Sequence, residues 1–120
     1  MTFDWKEFLN LAEWLHSNSI VGQSQEAASR SATSRAYFAS FCHARNFASD
    51  KQGFIPSKHW QDHVILRKHF QNKAMPEIAD DLEELKKWRN TCDYDDSIVN
   101  LPDIVNSALM QSKKIISTLK

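Results

Sequence analysis

One arginine, Arg89, stands where the helical pattern around it predicts a leucine. The apolar residues Ile78, Leu82, Leu85 and Cys92 recur at steps of four, three and seven, which is the stripe of an amphipathic helix. At about 100° per residue, Arg89 falls near the middle of that stripe. Because a guanidinium cannot lose its charge, its head group needs a carboxylate, a phosphate or a water-filled cleft. The pattern therefore indicates an anion partner on this helix.

Two kinds of anion partner fit the pattern. Asp93 lies four residues after Arg89, at the edge of the same helical face, so the two residues can form a structural ion pair between helices or subunits. The second interpretation joins Arg35, from an earlier helix, to Arg89 in a basic cleft of phosphate size. Arg35 also has the alternative of pairing with acidic residues of the Arg89 helix. The sequence leaves these interpretations open.

Length and composition predict one globular domain spanning residues 1–120. The chain has 42% hydrophobic and 25% charged residues, which is ordinary for a soluble domain. It has two glycines and three prolines, too few for the many turns of an all-β fold. The formal net charge is zero, so any nucleic-acid site must be a local one.

The sequence predicts a cytoplasmic protein without membrane association, metal or cofactor. No apolar run is long enough to span a bilayer, and Met1–Asn10 lacks a signal-peptide pattern. Cys42 and Cys92 have no metal-type spacing and are expected to be reduced. His59 and His63 are four residues apart, as in some metal sites, but the sequence offers no third ligand.

The hydrophobic periodicity predicts an all-α fold, an up-and-down antiparallel bundle of four to five helices. Ser57 is the expected N-cap of the third helix and Asn100 that of the fifth, with residues 19–24 as a connection. The predicted helices cover about residues 4–18, 25–49, 58–72, 76–94 and 101–119.

The second predicted helix has two different faces. One face is aromatic and is expected in the core; it carries Tyr37, Phe41, Ala44 and Ala48. The opposite face consists of small residues together with Arg35 and His43, which are roughly 12 Å apart along the axis. Small residues permit close approach of another helix, either within the bundle or from a second subunit. The small residues are Ala28, Ala32, Ala39 and Cys42.

Three segments resemble the HEPN-domain family. Ser34–Arg45 resembles the S-R-A-Y-Y-A signature of the family's second helix. His63 and Val64, followed by Phe70, resemble its third helix. Leu85–Tyr94 resembles the R-x-x-x-D-Y ending of its fourth helix. The similarity spans most of the chain, with the three segments in the family's order.

The resemblance implies a small helical bundle that pairs as a homodimer, with the fourth-helix arginine facing a cleft between protomers. Many members are metal-independent ribonucleases of toxin–antitoxin and antiviral defence systems, whose motif is an arginine, a polar residue and then a histidine. Arg89 and Asn90 match the start of this motif, and Tyr94 stands where the histidine is expected.

The site implied by the resemblance has two parts. Its catalytic part consists of Arg89, Asn90 and Tyr94. Its RNA- or nucleotide-binding part consists of Arg35, His43, His63 and Asp93.

Two function classes follow from the resemblance. The first is an RNA- or nucleotide-directed toxin or defence module, acting as a metal-independent ribonuclease. A tyrosine, with a pKa near 10, is a poor general base at neutral pH. The alternative is therefore a non-catalytic binding module that pairs with a protein, such as a nucleotidyltransferase antitoxin or another defence-system subunit. In similar toxin–antitoxin pairs the nucleotidyltransferase modifies a tyrosine near this motif. Tyr94 would then be the residue that is modified.

Overall fold

The computed structural model describes residues 2–18 and 23–120. Within these ranges the all-α bundle predicted from the sequence is confirmed, and no strand is present. None of the described helices is both long and apolar enough to cross a membrane. The five helices are α1 (Lys6–Ser17), α2 (Gln23–Gln52), α3 (Asp62–Asn72), α4 (Pro76–Tyr94) and α5 (Leu101–Thr118).

The 30-residue helix α2 is the centre of the bundle and contacts α1, α4 and α5. Its small residues let these neighbours approach closely. Ala32 and Ala36 are fully buried against Ala12 of α1 and Val105 of α5. The small-residue face of α2 is therefore covered by helices of the same chain. Of the two alternatives left by the sequence, the structure supports packing within the bundle.

Polar contacts fix the neighbours of α2 along its length. The buried Ser112 hydroxyl of α5 donates to the Ala36 carbonyl at 3.0 Å and accepts from Ser40 at 2.6 Å. On the other side, α4 runs antiparallel to α2, since Arg30 contacts the end of α4 and Gln52 contacts Met75 just before its start. The expected aromatic core is confirmed; it contains Tyr37, Phe41, Ala44, Ala48, Leu66, Phe70, Leu82 and Leu85.

The connection between α2 and α3 differs from the prediction. The third helix begins at Asp62, not Lys58, and Ser57 is not its N-cap. Instead, the Asp62 carboxylate accepts hydrogen bonds from the Ser57 hydroxyl at 2.5 Å and from the backbone N–H groups of Ser57 and Lys58 at 3.0 and 2.9 Å. Lys58 adopts a left-handed φ of 66° in this loop. The loop sets the first turn of α3, where His63 lies.

Other boundaries shift by a few residues. Helix α2 runs past Ser49 and ends at Gln52. The next residue, Gly53, has a φ of 73°, a conformation that favours glycine. Residues 19–22 of the expected connection lie outside the described residues, and Gln23 and Ser24 already belong to α2. Helix α5 begins after Asn100 as predicted, but the Asn100 side chain makes no capping hydrogen bond.

Replacing Asp62 with alanine is expected to lower the free energy of unfolding by about 2 kcal/mol, because a buried carboxylate that accepts several hydrogen bonds is lost. Burial raises the pKa of Asp62, but the hydrogen bonds from Ser57 and Lys58 outweigh burial and hold it below the ordinary value. The Asp62 contribution is therefore present above the ordinary carboxyl pKa and disappears as the pH falls through the folded-state pKa. Urea unfolding at several pH values measures both effects.

The matched control is Asp80→Ala, which removes an exposed carboxylate from α4 and should change stability by less than about 0.5 kcal/mol. Equal losses for the two variants would contradict the role given to the Asp62 loop.

Candidate anion-binding site

Three aromatic side chains of α2 form the floor of the site. Tyr37 and Phe41 are buried, and Phe38 is partly buried beside them. His63, in the first turn of α3, stacks on Phe41 with ring centroids 4.2 Å apart and 20° between the planes. The Asp62 loop places His63 there, because it fixes where α3 begins.

The Tyr37 hydroxyl forms a short hydrogen bond with Nδ1 of His63. Burial raises the pKa of Tyr37 well above its ordinary value, and the positive charges of Arg67 and Arg89 offset only part of this effect. The phenol thus keeps its hydrogen and donates it to Nδ1, its acceptor in the described part of the chain. A neutral imidazole that accepts at Nδ1 carries its own hydrogen on Nε2. His63 therefore offers an N–H donor on its opposite side.

His63 is uncharged at neutral pH. Burial and the positive charges of Lys86, Arg89 and Arg67 together lower the pKa of His63 from 6.5 to about 4, with burial as the largest cause, while Asp62 acts in the opposite direction. The three cations come from α3 and α4, which pack against each other at this point. All three act on the same neutral ring, and we call Arg67, Lys86 and Arg89 the cationic cluster.

The Arg89 guanidinium lies over aromatic rings rather than in bulk solvent. Its side chain is 21% exposed, and its central carbon is 5.0 Å from the Phe38 ring centroid and 5.7 Å from that of Tyr94. Nε lies 2.7 Å from Oδ2 of Asp93, in an ion pair without the alignment of a hydrogen bond. Nη1 donates to Asn90 at 3.2 Å. The Nη2 donors have no hydrogen-bond partner in residues 2–18 and 23–120.

Arg67 and Lys86 are partly buried cations without carboxylate partners. Arg67 donates through Nη1 to the backbone carbonyl of His63 at 3.1 Å. Neither Arg67 nor Lys86 forms an ion pair with any described residue. The pKa of Lys86 is lowered, first by burial and then by Arg67 and Arg89. Positive charges that lower the pKa of a neighbouring lysine favour the entry of an anion, which would relieve their repulsion.

Most of the site residues expected from the sequence lie around this cluster. Asn90, Asp93 and Tyr94 contact Arg89 directly, and His63 faces it from α3. Asp93 also accepts a hydrogen bond from Ser34 of α2 at 3.3 Å. The Tyr94 side chain is 72% exposed. The Arg89–Asp93 ion pair exists, so one carboxylate already balances part of the charge.

The two remaining expected residues lie in different places. Arg35 borders the site, since its guanidinium carbon is 5.6 Å from the Phe38 ring centroid and 5.1 Å from that of Phe8. It forms no ion pair with the acidic residues of α4. His43 contacts the backbone carbonyl of Leu119, near the end of the chain, through Nε2. The structure therefore brings Arg35, but not His43, to the aromatic ring beneath Arg89.

Sequence reasoning missed Arg67, Lys86 and Tyr37 as members of the site. The available signals were weak: Lys86 precedes Arg89 by three residues and Arg67 follows His63 by four, so each pair shares one helical face. Nothing in the sequence indicates that these two faces meet across α3 and α4.

Sequence reasoning also missed Arg30 of α2, which lies outside the cluster. Its guanidinium donates to the backbone carbonyls of Cys92, Asp95 and Asp96 at 3.1, 2.6 and 3.3 Å, and it also pairs with Glu26. These carbonyls belong to the last turn of α4 and to the two residues after it, where intrahelical donors run out. Arg30 therefore anchors the segment that carries Asp93 and Tyr94.

A groove of about 570 Å³ between α4 and α5 contains none of the cluster residues. Gln111 donates to Asp81 at 3.0 Å and to Glu84 at 2.9 Å, and Lys114 pairs with Asp81 at 3.3 Å. Both carboxylates thus have partners on α5, although Oδ2 of Asp81 is buried with an ion pair to Lys114 and no hydrogen bond.

We expect NMR titration to give His63 a pKa of about 4, and Lys86→Met to raise it because a neighbouring positive charge is removed. Because the pKa of His63 is lower in the folded than in the unfolded state, the unfolded chain is protonated at a higher pH. The free energy of unfolding should therefore decrease as the pH falls from 6.5 towards 4. Lys87→Met, which removes an exposed charge from the same helix, should leave the His63 pKa unchanged. An ordinary pKa in the wild type would contradict this arrangement.

Comparison with known proteins identifies no family and no function for this site. No family model matches the chain, and neither a curated protein nor a solved structure matches it. The function is therefore inferred from the contacts and charges of the site residues themselves.

Proposed function

We propose that the protein is an RNA- or nucleotide-directed module of the HEPN type that binds a phosphate group in the cationic cluster. The observation that carries the proposal is that Arg67, Lys86 and Arg89 all act on His63, while Arg89 alone among the three has a carboxylate partner in the described residues. Asp93 pairs with Arg89, and the loop hydrogen bonds engage Asp62, so neither neutralises Arg67 or Lys86.

The donors of the cluster suit a phosphate. Arg89 has free Nη2 donors in a planar fork, Lys86 supplies a compact positive charge, and neutral His63 adds an N–H group. The sites of these donors are partly buried, where charge interactions are screened less than on an open surface. A phosphodiester would thus gain several charge-assisted hydrogen bonds from a preformed set of donors.

Tyr94 favours a nucleic acid over inorganic phosphate as the ligand. Its ring is largely exposed and lies beside the Arg89 guanidinium. Exposed aromatic rings beside a positively charged groove stack on the unpaired bases of single-stranded RNA. A phosphate at the cluster and a base on Tyr94 would make a one-nucleotide contact.

The biological setting within this proposal comes from the sequence resemblance. A HEPN-type module would act in toxin–antitoxin or antiviral defence, as a homodimer with the Arg89 helices facing a shared cleft. A nucleotidyltransferase antitoxin or another defence-system subunit is the protein partner consistent with the resemblance. The cluster described above lies within one protomer, so phosphate binding does not require the second copy.

Metal-independent RNA cleavage is the second candidate function, and one observation favours it. The chain has no histidine after Arg89, but His63 of α3 supplies one beside the cluster. A histidine can accept the proton of a ribose 2′-hydroxyl while an arginine stabilises the charge on phosphorus. Against this role, the Nδ1 lone pair of His63 is occupied by Tyr37, and Nε2 carries the hydrogen.

Arg89→Ala is expected to weaken binding of a fluorescent oligouridylate by about tenfold or more, because a charge-assisted phosphate contact is lost. The slope of log K against log salt should fall by about 0.7 for each phosphate contact removed. Fluorescence anisotropy measures both quantities. The matched control is Lys87→Ala, which removes the same charge from an exposed side chain of α4 and should change affinity less than about twofold. Equal effects of the two variants would contradict a specific site.

We expect labelled RNA incubated with the protein and a chelator to remain intact, because the Nδ1 lone pair of His63 faces the buried Tyr37 hydroxyl and not a bound ribose. Gel electrophoresis of the RNA tests this expectation, with Arg89→Ala as the comparison. Chelator-resistant cleavage that disappears in Arg89→Ala would replace the binding function with the ribonuclease.

A further inference from the structure

The neutral histidine within the cationic cluster has a consequence for how the site binds an anion. Groups of three helices act on His63. On α2, Tyr37 bonds to its Nδ1 and is itself uncharged. On α4, Arg89 lies over the Phe38 ring, which packs against Tyr37, and Lys86 is a second positive group. On its own helix, the positive Arg67 donates to the His63 backbone carbonyl, and Asp62 is negative.

The repulsion that opposes a charge on His63 comes from the same three cations that would hold a phosphate. An anion among them places negative charge beside the imidazole ring and cancels much of this repulsion. A protonated His63 would in turn be a fourth positive group facing the anion. The two binding events therefore favour each other, and the coupling must be reciprocal.

We propose that an anion entering the cationic cluster is bound together with one proton, which is taken up from solvent by His63. This inference rests on the phosphate-binding function proposed above and specifies how that site responds to pH. The proton goes to Nδ1, because Nε2 already carries one. In the neutral form the Tyr37 hydroxyl donates a hydrogen bond to Nδ1. In the protonated form the Tyr37 oxygen accepts a hydrogen bond from the new Nδ1–H group.

Ligand affinity should then strengthen as the pH is lowered. Over the range in which the complex is protonated and the free protein is not, uptake of one proton corresponds to about a tenfold gain in affinity per pH unit. The probe is the fluorescent oligouridylate, because neither uracil nor a phosphodiester titrates between about pH 5 and 7, where an imidazole can. Circular dichroism at each pH verifies that the bundle stays folded.

His63→Gln should lose the pH dependence of binding, whatever affinity it keeps at pH 7, since glutamine cannot be protonated. The matched control is His59→Gln, which removes an exposed histidine four residues earlier and should keep the wild-type pH dependence. NMR of the His63 ring nitrogens provides an independent readout in the wild type. Added oligouridylate should move the ring from the neutral to the protonated form at a pH where the free protein is neutral.

The outcomes separate the two proposals. Binding that depends on Arg89 but has the same pH dependence in the wild type and His63→Gln, with an unchanged NMR titration of His63, overturns the coupled proton and leaves phosphate binding standing. A failure of the wild type to bind oligouridylate at every pH overturns the proposed function and the inference with it. Should His63→Gln fail to fold, the NMR titration of the wild-type protein decides.

Discussion

The site depends on an electrostatic constraint: three positive side chains act on one neutral histidine, and among the described residues Asp93 is their one direct carboxylate partner. The bundle enforces this arrangement because α3 packs on α4 and both cover the aromatic face of α2. Aromatic rings tolerate a guanidinium over their faces, so the floor of the site accepts the charge without neutralising it. The free energy cost of the repulsion is offset by the burial of the apolar residues beneath.

The supporting contacts are those that fix the ends of helices. Asp62 determines where α3 begins and hence where His63 lies, while Arg30 satisfies the carbonyl groups at the end of α4. Both are charged side chains that satisfy backbone groups, and neither belongs to the cluster. Loss of either contact would displace a site residue without removing one. The geometry of the cluster therefore depends on contacts at helix ends made by residues outside the cluster.

Much of the fold was accessible from the sequence, because helical periodicity and the scarcity of glycine and proline define an all-α bundle. The position of Arg89 on an apolar stripe also identified the correct helix face, and its low exposure agrees with that expectation. The start of α3 was wrong by four residues, because the Ser57 hydroxyl bonds to the Asp62 carboxylate instead of capping a helix. A local pattern cannot distinguish these two uses of a serine.

The composition of the site was less accessible, for a physical reason. Arg67 and Lys86 look like solvated surface charges when each helix is considered alone. They become part of the site only because α3 packs on α4. His43, in contrast, was expected in the site from its motif position, but its ring faces the end of α5. Helical periodicity assigns residues to faces, whereas the pairing of faces is set by packing between distant segments.

The central claim is that the cationic cluster holds an anion, and anomalous diffraction from crystals grown with selenate tests it most directly. Selenate has the shape and charge of a phosphate dianion, and its selenium atom is located without reference to the protein. The account predicts an anomalous peak within hydrogen-bond distance of Lys86 Nζ and the Arg89 guanidinium, on the side facing Arg67. Crystals in which selenate occupies other surfaces, with Lys86 and Arg67 turned away from Arg89 into solvent, would contradict it.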